Sequence, residues 1–89
     1  MIRKTITIIN KLGLHARAAS KLVATAGRFI STIEIAKNGR AANGKSIMGV
    51  MMLAANQGTE VELIIEGEDE QEALQELEQL INNKFGEDS

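Results

Sequence analysis

Alternation of apolar and polar residues predicts four short β-strands in this chain. The pattern is clearest in residues 2–9, 31–37 and 60–66, where isoleucine, valine or leucine alternates with threonine or glutamate. Asn38-Gly39 favours a tight hairpin after the second strand, because both residue types accept a positive φ. Residues 40–43 are therefore predicted to return from that hairpin as a short edge strand.

Apolar residues at helical spacing predict a first helix just after the histidine at position 15. A second, short helix is predicted from Ile47 to about Ala55, because the hydroxyl of Ser46 can accept a hydrogen bond from a free amide at its start. We expect Gly58 to follow the end of that helix. The apolar positions of the first helix are Ala19, Leu22, Val23, Ala26 and Phe29 or Ile30.

The last helix is predicted to begin at Asp69, which forms an Asp variant of the capping box with Glu72, and to end at Gly86. The resulting order is β-α-β-β-α-β-α on one domain, residues 1–89. A strand-helix-strand unit followed by a hairpin predicts an α+β fold, with an antiparallel or mixed four-stranded sheet and helices on one face. The apolar positions of the last helix are Ala73, Leu74, Leu77, Leu80, Ile81 and Phe85.

The composition indicates a packed globular fold, since 44% of the residues are apolar, 25% are charged and no segment is of low complexity. The absence of cysteine excludes disulfides, thiol catalysis and thiolate metal sites. No stretch has the apolar run that a secretory signal or a membrane span needs. We therefore expect a cytoplasmic protein that does not contact a membrane.

Charged residues are distributed unevenly along the chain. Nine bases in the first half face a single acid, Glu34, whereas acids dominate from Glu60 onward and Lys84 is the only base there. If the basic half forms one face, that face would attract an acidic partner; the alternative is that these are ordinary solvated charges. The nine bases are Arg3, Lys4, Lys11, Arg17, Lys21, Arg28, Lys37, Arg40 and Lys45.

The segment "GRAANGKS", Gly39 to Ser46, fits the phosphate-loop pattern of nucleotide hydrolases, and it lies between a predicted strand and a predicted helix. Enzymes with that loop need a larger parallel sheet covered on both faces and further strands that hold magnesium. An 89-residue chain cannot supply them. Because the pattern and its neighbouring elements match, a nucleotide-binding domain that uses this segment is kept, but only as the alternative hypothesis.

A small RNA-binding sheet is a third hypothesis, because sheets with basic faces bind RNA. Such platforms stack bases on aromatic side chains. The only aromatic residues here are Phe29 and Phe85, and both occupy predicted helical core positions. The RNA-binding hypothesis therefore ranks below the nucleotide-binding one.

The single histidine, His15 in "GLHARAAS", directly precedes the first helix. With no cysteine and no second histidine, the common catalytic triads and metal clusters are absent. A lone histidine is more often a cap or a surface residue. At a helix N-terminus, however, the dipole favours a neutral, nucleophilic ring, and the free amides form an anion site. His15 could accept a phosphoryl group that these amides and the guanidinium of Arg17 would hold.

The motifs "GLHAR", "KSIMGVMMLAA" and "GEDEQEAL" resemble those of the HPr family (HPr and NPr), the histidine-containing phosphocarriers of the bacterial phosphotransferase system. The resemblance covers essentially the whole chain and implies an open-faced β-sandwich, with four antiparallel strands under three helices. It implies that His15 takes phosphate from phosphorylated enzyme I, which phosphoenolpyruvate charges, and passes it to a IIA-type protein. The chain would thus be a stoichiometric carrier in sugar transport rather than an enzyme.

The resemblance also assigns roles to residues around the second motif. Arg17 would support the phosphohistidine, and Ser46 would be a regulatory site for an HPr kinase, at the start of a short helix beside the phosphohistidine. We expect an exposed patch of Ile47, Met48 and Met51 to contact partner proteins, because methionine adapts to more than one surface. Lys21 and Lys45 are the basic docking residues. No cofactor, metal or nucleic acid is expected, and the chain is expected to be a monomer.

Two positions depart from the family pattern. Ala18 stands where the family usually has proline, in the first turn of the first helix, and we expect phosphotransfer to survive this change. Gly44 stands where alanine is more common, and this glycine completes the phosphate-loop pattern. The sequence leaves open whether the chain serves sugar uptake or the nitrogen-related regulatory branch.

Overall fold

The computed structural model describes residues 1–88 and contains the predicted elements in the predicted order. The four strands form one antiparallel sheet in the order β1-β4-β2-β3. The α+β prediction is confirmed, and β3 is an edge strand. The elements are β1 Ile2–Thr7, α1 Ala16–Ala26, β2 Thr32–Lys37, β3 Arg40–Asn43, α2 Ile47–Met52, β4 Glu60–Glu66 and α3 Glu70–Asn82, followed by a 3-10 turn over Lys84–Gly86.

The alternating apolar residues of the strands lie on one face of the sheet. Ile33 is paired with Ile65 and Ile35 with Leu63, and all four side chains are buried. The helix α3 packs against β1 and β4, while α1 packs against α2 and α3. Sheet and helices thus share one core, in which each fully buried large side chain contributes about 1.5–3 kcal/mol. The helical residues with no exposed surface include Leu22, Val50, Leu77 and Ile81.

The hairpin after β2 forms as predicted, with φ of 50° at Asn38 and 81° at Gly39. The end of α2 differs from the prediction, since the helix stops at Met52 and Ala54 has φ of 51°. The ammonium of Lys37 donates to the carbonyl oxygens of Leu53 and Ala54 and so satisfies acceptors that the ending helix leaves free. The end of this helix is therefore capped by a basic side chain from β2 rather than by a glycine that follows it in the sequence.

The capping box predicted at the start of α3 is wrong. Asp69 is the N-cap residue, but its carboxylate makes no hydrogen bond to the helix. It accepts hydrogen bonds from the amides of Ile30 and Ser31, each at 3.0 Å, and from the Ser31 hydroxyl. Ser31 is buried, so the carboxylate joins the start of α3 to the turn before β2. The amide of Gly67 is satisfied by the neighbouring Glu70 instead.

The last helix ends earlier than predicted. It stops at Asn82, and Lys84 and Phe85 both adopt left-handed backbone with φ of 56°. The turn brings Phe85 back into the core, where its side chain has no exposed surface. Phe85 is a core residue as predicted, but it lies in this turn rather than on the helix.

The uneven charge distribution of the sequence is partly balanced in the fold. Strand β1 pairs with β4, and ion pairs join Arg3 to Glu62 and Lys4 to Glu78. Arg28, after α1, pairs with Glu76 of α3. The basic half therefore does not form one uninterrupted face. Within residues 1–88, no helix is long and apolar enough to cross a membrane.

We predict that Asp69→Asn lowers the melting temperature by several degrees at pH 7. The Ser31 hydroxyl, foremost, and the backbone amides of Ile30 and Ser31 lower the pKa of Asp69 below its usual 3.8. A lowered folded pKa stabilises the fold above pH 3.8, and this contribution is lost as the pH falls through the folded value. Thermal unfolding from pH 7 to pH 2 should show a difference between the two proteins that shrinks below about pH 4.

The matched control for this prediction is Asp88→Asn, which removes the same charge from an exposed residue. It should leave the melting temperature unchanged. An Asp69→Asn deficit that persists undiminished at pH 2 would contradict the charge-based explanation.

Candidate functional site

His15 is the N-cap residue of α1. Its backbone is extended, with φ of −74° and ψ of 179°, and its carbonyl oxygen accepts the first helical hydrogen bond from Ala19 at 2.8 Å. Its ring makes no hydrogen bond to the helix. Within residues 1–88, the amides of Ala16, Arg17 and Ala18 have no acceptor. The start of α1 thus presents three free N–H donors beside the histidine, an arrangement that favours an anion.

The loop before His15 is held in place by backbone contacts. Gly13 has φ of 66°, and a Cβ there would overlap the carbonyl oxygen of Ala55 and lie 2.8 Å from the Cα of Asn56. The amide of Leu14 donates to the same Ala55 oxygen at 2.9 Å. Because a side chain at position 13 would push the loop away, glycine is what allows the loop before His15 to lie against the segment after α2.

The imidazole of His15 contacts an acid from the other end of the chain. Its Nε2 lies 2.6 Å from a carboxylate oxygen of Glu87. The side chain of Glu87 is only 10% exposed and that of His15 is 23% exposed, so the contact is largely shielded from water. The second carboxylate oxygen of Glu87 accepts a hydrogen bond from Nδ2 of Asn10 at 3.0 Å.

Asn10 joins this contact to the loop. Its Nδ2 also donates to the carbonyl oxygen of Gly13 at 2.8 Å, so both of its amide hydrogens are used. Both neighbours are acceptors, which requires the NH₂ group to face them. Asn10 has no exposed surface, and its Oδ1 has no partner within residues 1–88.

The charge state of Glu87 determines which ring nitrogen carries hydrogen. The hydrogen bond from Asn10, foremost, together with the hydrogen bond from His15 and the charges of His15 and Arg17, lowers the pKa of Glu87 below its usual range. An ionised carboxylate only accepts hydrogen bonds, so Nε2 must donate. In the neutral ring, the lone pair is then on Nδ1.

Arg17 and Lys21 line a cleft of about 310 Å³ next to this contact. The exposed Arg17 is in no ion pair within residues 1–88. The ammonium of Lys21 donates to the carbonyl oxygen of Phe85 at 2.6 Å and thereby holds the C-terminal turn. Arg17 is thus available to an anion near His15. The rest of the cleft consists of Leu12, Gly86, Glu87 and Asp88.

Ser46 and Lys45 lie away from His15, at the other end of α1, so the expectation that their helix opens beside the phosphohistidine is wrong. The ammonium of Lys45 donates to the carbonyl oxygen of Phe29, just past the end of α1, at 2.7 Å. The segment after α2, rather than the start of α2, contacts the loop before His15, because the amide of Leu14 donates to the carbonyl oxygen of Ala55. Since α1 has 11 residues, its two ends are roughly 16 Å apart.

Ser46 caps α2 as predicted, since its hydroxyl accepts a hydrogen bond from the amide of Gly49 at 3.1 Å. The predicted exposed patch is correct for Ile47 and Met48, which are 41% and 67% exposed. It is wrong for Met51, which is partly buried and packs against the core. Met52 is exposed in its place, at 63%. Met48 and Met52 are four residues apart and so share one face of the helix, whereas Met51 packs against the core.

The phosphate-loop pattern does not form a phosphate loop. Gly39 is in the hairpin, residues 40–43 pair with β2, and the amide of Gly44 donates to the carbonyl oxygen of Ile33. The ammonium of Lys45 is already bound to a carbonyl oxygen. The space that a side chain at position 44 would need is occupied by the Ile33 side chain.

The RNA-binding alternative also lacks its central feature. Phe29 is 8% exposed and Phe85 is fully buried, so neither can stack on a base. Among the described residues, no group of three or more histidine and acidic side chains could hold a metal ion.

Two residues of the site, Asn10 and Glu87, were missed by sequence reasoning. Asn10 was part of a loop without periodicity, and Glu87 follows the glycine predicted to end α3. Only the left-handed turn at Phe85 brings Glu87 to a histidine 72 positions earlier in the chain.

Known proteins are similar to this chain in both sequence and fold. A family model described as "PTS HPr component phosphorylation site" matches residues 2–83. The chain is 56% identical over 87 residues to the phosphocarrier protein HPr of Cupriavidus necator, with 98% of each chain covered. It is similar to the crystal structure of HPr-C-His from Thermoanaerobacter tengcongensis, with a TM-score of 0.96, 49% identity and 100% of both chains covered. An HPr dimer from the same organism gives a TM-score of 0.79 at 50% identity, over 98% of this chain and 100% of that one.

We predict that Gly13→Ala destabilises the fold more than Gly39→Ala does. Both glycines have left-handed backbone, which costs alanine about 1–2 kcal/mol. A Cβ at Gly39 has no atom within 4 Å, whereas one at Gly13 would overlap the Ala55 oxygen. Urea unfolding of the two variants should therefore show the larger loss for Gly13→Ala. Equal losses would mean that the loop moves freely and does not position His15.

Proposed function

The chain belongs to the HPr family, the phosphocarrier proteins of the bacterial phosphotransferase system, and we propose that its Nδ1 atom of His15 carries the phosphoryl group. In this proposal, phosphorylated enzyme I donates the group and a IIA-type protein receives it. The observation that supports it best is the position of His15 at the start of α1, beside three amides without an acceptor.

The transfer is an in-line displacement at phosphorus. The lone pair of Nδ1 forms the new N–P bond while the bond between phosphorus and the donor atom of enzyme I breaks, and that electron pair leaves with enzyme I. The hydrogen on Nε2 stays between the ring and Glu87. Transfer to the IIA-type protein repeats the step in reverse, with the N–P bond of His15 breaking.

The phosphoryl oxygens carry the negative charge that the site must balance. The free amides of α1 and its helix dipole attract that charge. We assign the guanidinium of Arg17 to the same oxygens, because it is exposed, two residues from His15 and in no ion pair within residues 1–88. The transfer moves no proton to or from the ring, which fits a carrier whose partners complete the reaction centre.

Docking is assigned to the outward side of α2 and the neighbouring lysines. Ile47, Met48 and Met52 form an exposed apolar patch on α2, which packs against α1. Lys21 and Lys45 are exposed as well, although each ammonium already binds a carbonyl oxygen. A partner with acidic groups would have to share or replace those hydrogen bonds. The monomeric state stays a prediction, because the similar proteins include an HPr dimer.

Ser46 is proposed as the site that an HPr kinase phosphorylates. Its hydroxyl caps α2 directly before the apolar patch. A phosphate there would be a dianion at the edge of the docking surface and would repel acidic partners. Because Ser46 and His15 lie at opposite ends of α1, the modification would act on docking rather than on the phosphohistidine itself.

We predict that incubation with enzyme I and phosphoenolpyruvate adds one phosphoryl group to the chain. Intact mass should rise by one phosphate, and phosphorus NMR should show an acid-labile phosphoramidate on Nδ1, because a ring nitrogen is the acceptor. The control is His15→Ala, which leaves the rest of the fold intact and should gain nothing. An adduct that persists in His15→Ala, or no adduct in the unaltered chain, would end the proposal.

For Ser46 we predict that Ser46→Asp raises the KM for phosphorylated enzyme I roughly tenfold, through like-charge repulsion at the interface. The maximal rate should change little, because His15 is remote. Ser46→Asn is the matched control, since asparagine caps a helix as well as aspartate does but carries no charge. Equal KM values for the two variants would show that charge at this position does not regulate docking.

A further inference from the structure

Glu87 enters the proposed function only as the acceptor of the Nε2 hydrogen, yet it makes the closest polar contact to the phosphate-carrying ring. We infer that Glu87 is a positioning residue for phosphoryl transfer, which holds the Nε2 hydrogen of His15 so that Nδ1 is the nucleophile. This inference rests on the proposed function and adds to it the residue that selects between the two ring nitrogens.

Several contacts hold the side chain and the backbone of Glu87 in one position. Both carboxylate oxygens are engaged, one by His15 at 2.6 Å and the other by the buried Asn10 at 3.0 Å. The backbone amide of Glu87 donates to the carbonyl oxygen of Lys84 at 2.9 Å. The preceding turn is anchored by the fully buried Phe85, whose carbonyl oxygen Lys21 binds. A carboxylate that is bound by Asn10 and carried on an anchored backbone orients a ring far better than a mobile surface acid would.

The electrostatic role follows from the direction of charge movement. When Nδ1 bonds to phosphorus, the imidazole gains positive charge while Nε2 keeps its hydrogen. A carboxylate 2.6 Å from Nε2 stabilises that charge in the largely water-excluded contact. The other charged groups at this point are Arg17 and Lys21 of α1 and Asp88 of the tail. None of them is hydrogen-bonded to the ring within residues 1–88.

The same contact excludes the other ring nitrogen. A phosphoryl group on Nε2 would have to displace Glu87 and would meet its negative charge. Glu87 therefore blocks one nitrogen and activates the other, as carboxylate partners of histidine do in other active sites.

The first measurement is the tautomer of His15 in the unphosphorylated chain, from the ring ¹⁵N chemical shifts. We expect the Nε2–H form in the unaltered chain and in Glu68→Ala, which removes the same charge from an exposed residue in the turn before α3. Glu87→Ala should give a mixture of tautomers. Glu87→Gln should lie between them, because its carbonyl oxygen can still accept from Nε2. An unchanged tautomer in Glu87→Ala would overturn the inference.

The second measurement is phosphorylation by enzyme I. Glu87→Ala should lower kcat about tenfold, the loss expected for one hydrogen bond to a charged group, with KM unchanged. Glu87→Gln should recover part of the rate, and Glu68→Ala should match the unaltered chain. A merely structural role would instead lower the melting temperature and leave the kcat of the folded fraction unchanged. That result, or a faster Glu87→Ala, would overturn the inference.

The two proposals fail in different ways. If the unaltered chain takes up no phosphate, the carrier function is wrong and the positioning role falls with it, whatever the tautomer. If the unaltered chain is phosphorylated on His15 and Glu87→Ala is phosphorylated equally fast, the carrier function stands and only the role of Glu87 is wrong.

Discussion

The apolar side chains that alternate along β2 and β4 pack against the helices, and the position of His15 depends on that packing. The core residues Ile35, Leu63 and Ile65 share one cluster with Leu22 of α1 and Ile81 of α3. Since one layer of helices covers one face of the sheet, every helix must place its apolar stripe on that side. The start of α1, with its unsatisfied amides, is consequently held at the edge of the core, where an anion and a partner protein can reach it.

The site is assembled from three parts of the chain that contribute no more than a few residues each. The loop from Asn10 to His15 supplies the ring, Ala55 supplies a carbonyl oxygen that holds this loop, and the C-terminal turn supplies Glu87. Burial of Phe85 connects the last part to the core. A buried core contact thus places the acid beside the histidine, which links packing directly to chemistry.

Charge has different functions in different parts of the fold. The pairs Arg3–Glu62 and Lys4–Glu78 lie at the surface, where such pairs contribute little stability. Three other lysines bind carbonyl oxygens at turns and helix ends and so fix the backbone there: Lys21, Lys37 and Lys45. Arg17 has neither role within residues 1–88, so its guanidinium is available to an anion beside His15.

The sequence by itself determined the element order, the antiparallel hairpin at Asn38-Gly39, the core faces of the strands and the position of His15 before a helix. These features follow from local periodicity and turn chemistry, which neighbouring residues decide. Only the tertiary structure decided that Asp69 binds Ser31, that Met52 rather than Met51 is exposed, that Ser46 is remote from His15 and that Glu87 contacts the ring. Each of these joins or separates residues through packing between elements distant in the chain, and no spacing in a single sequence encodes such a distance.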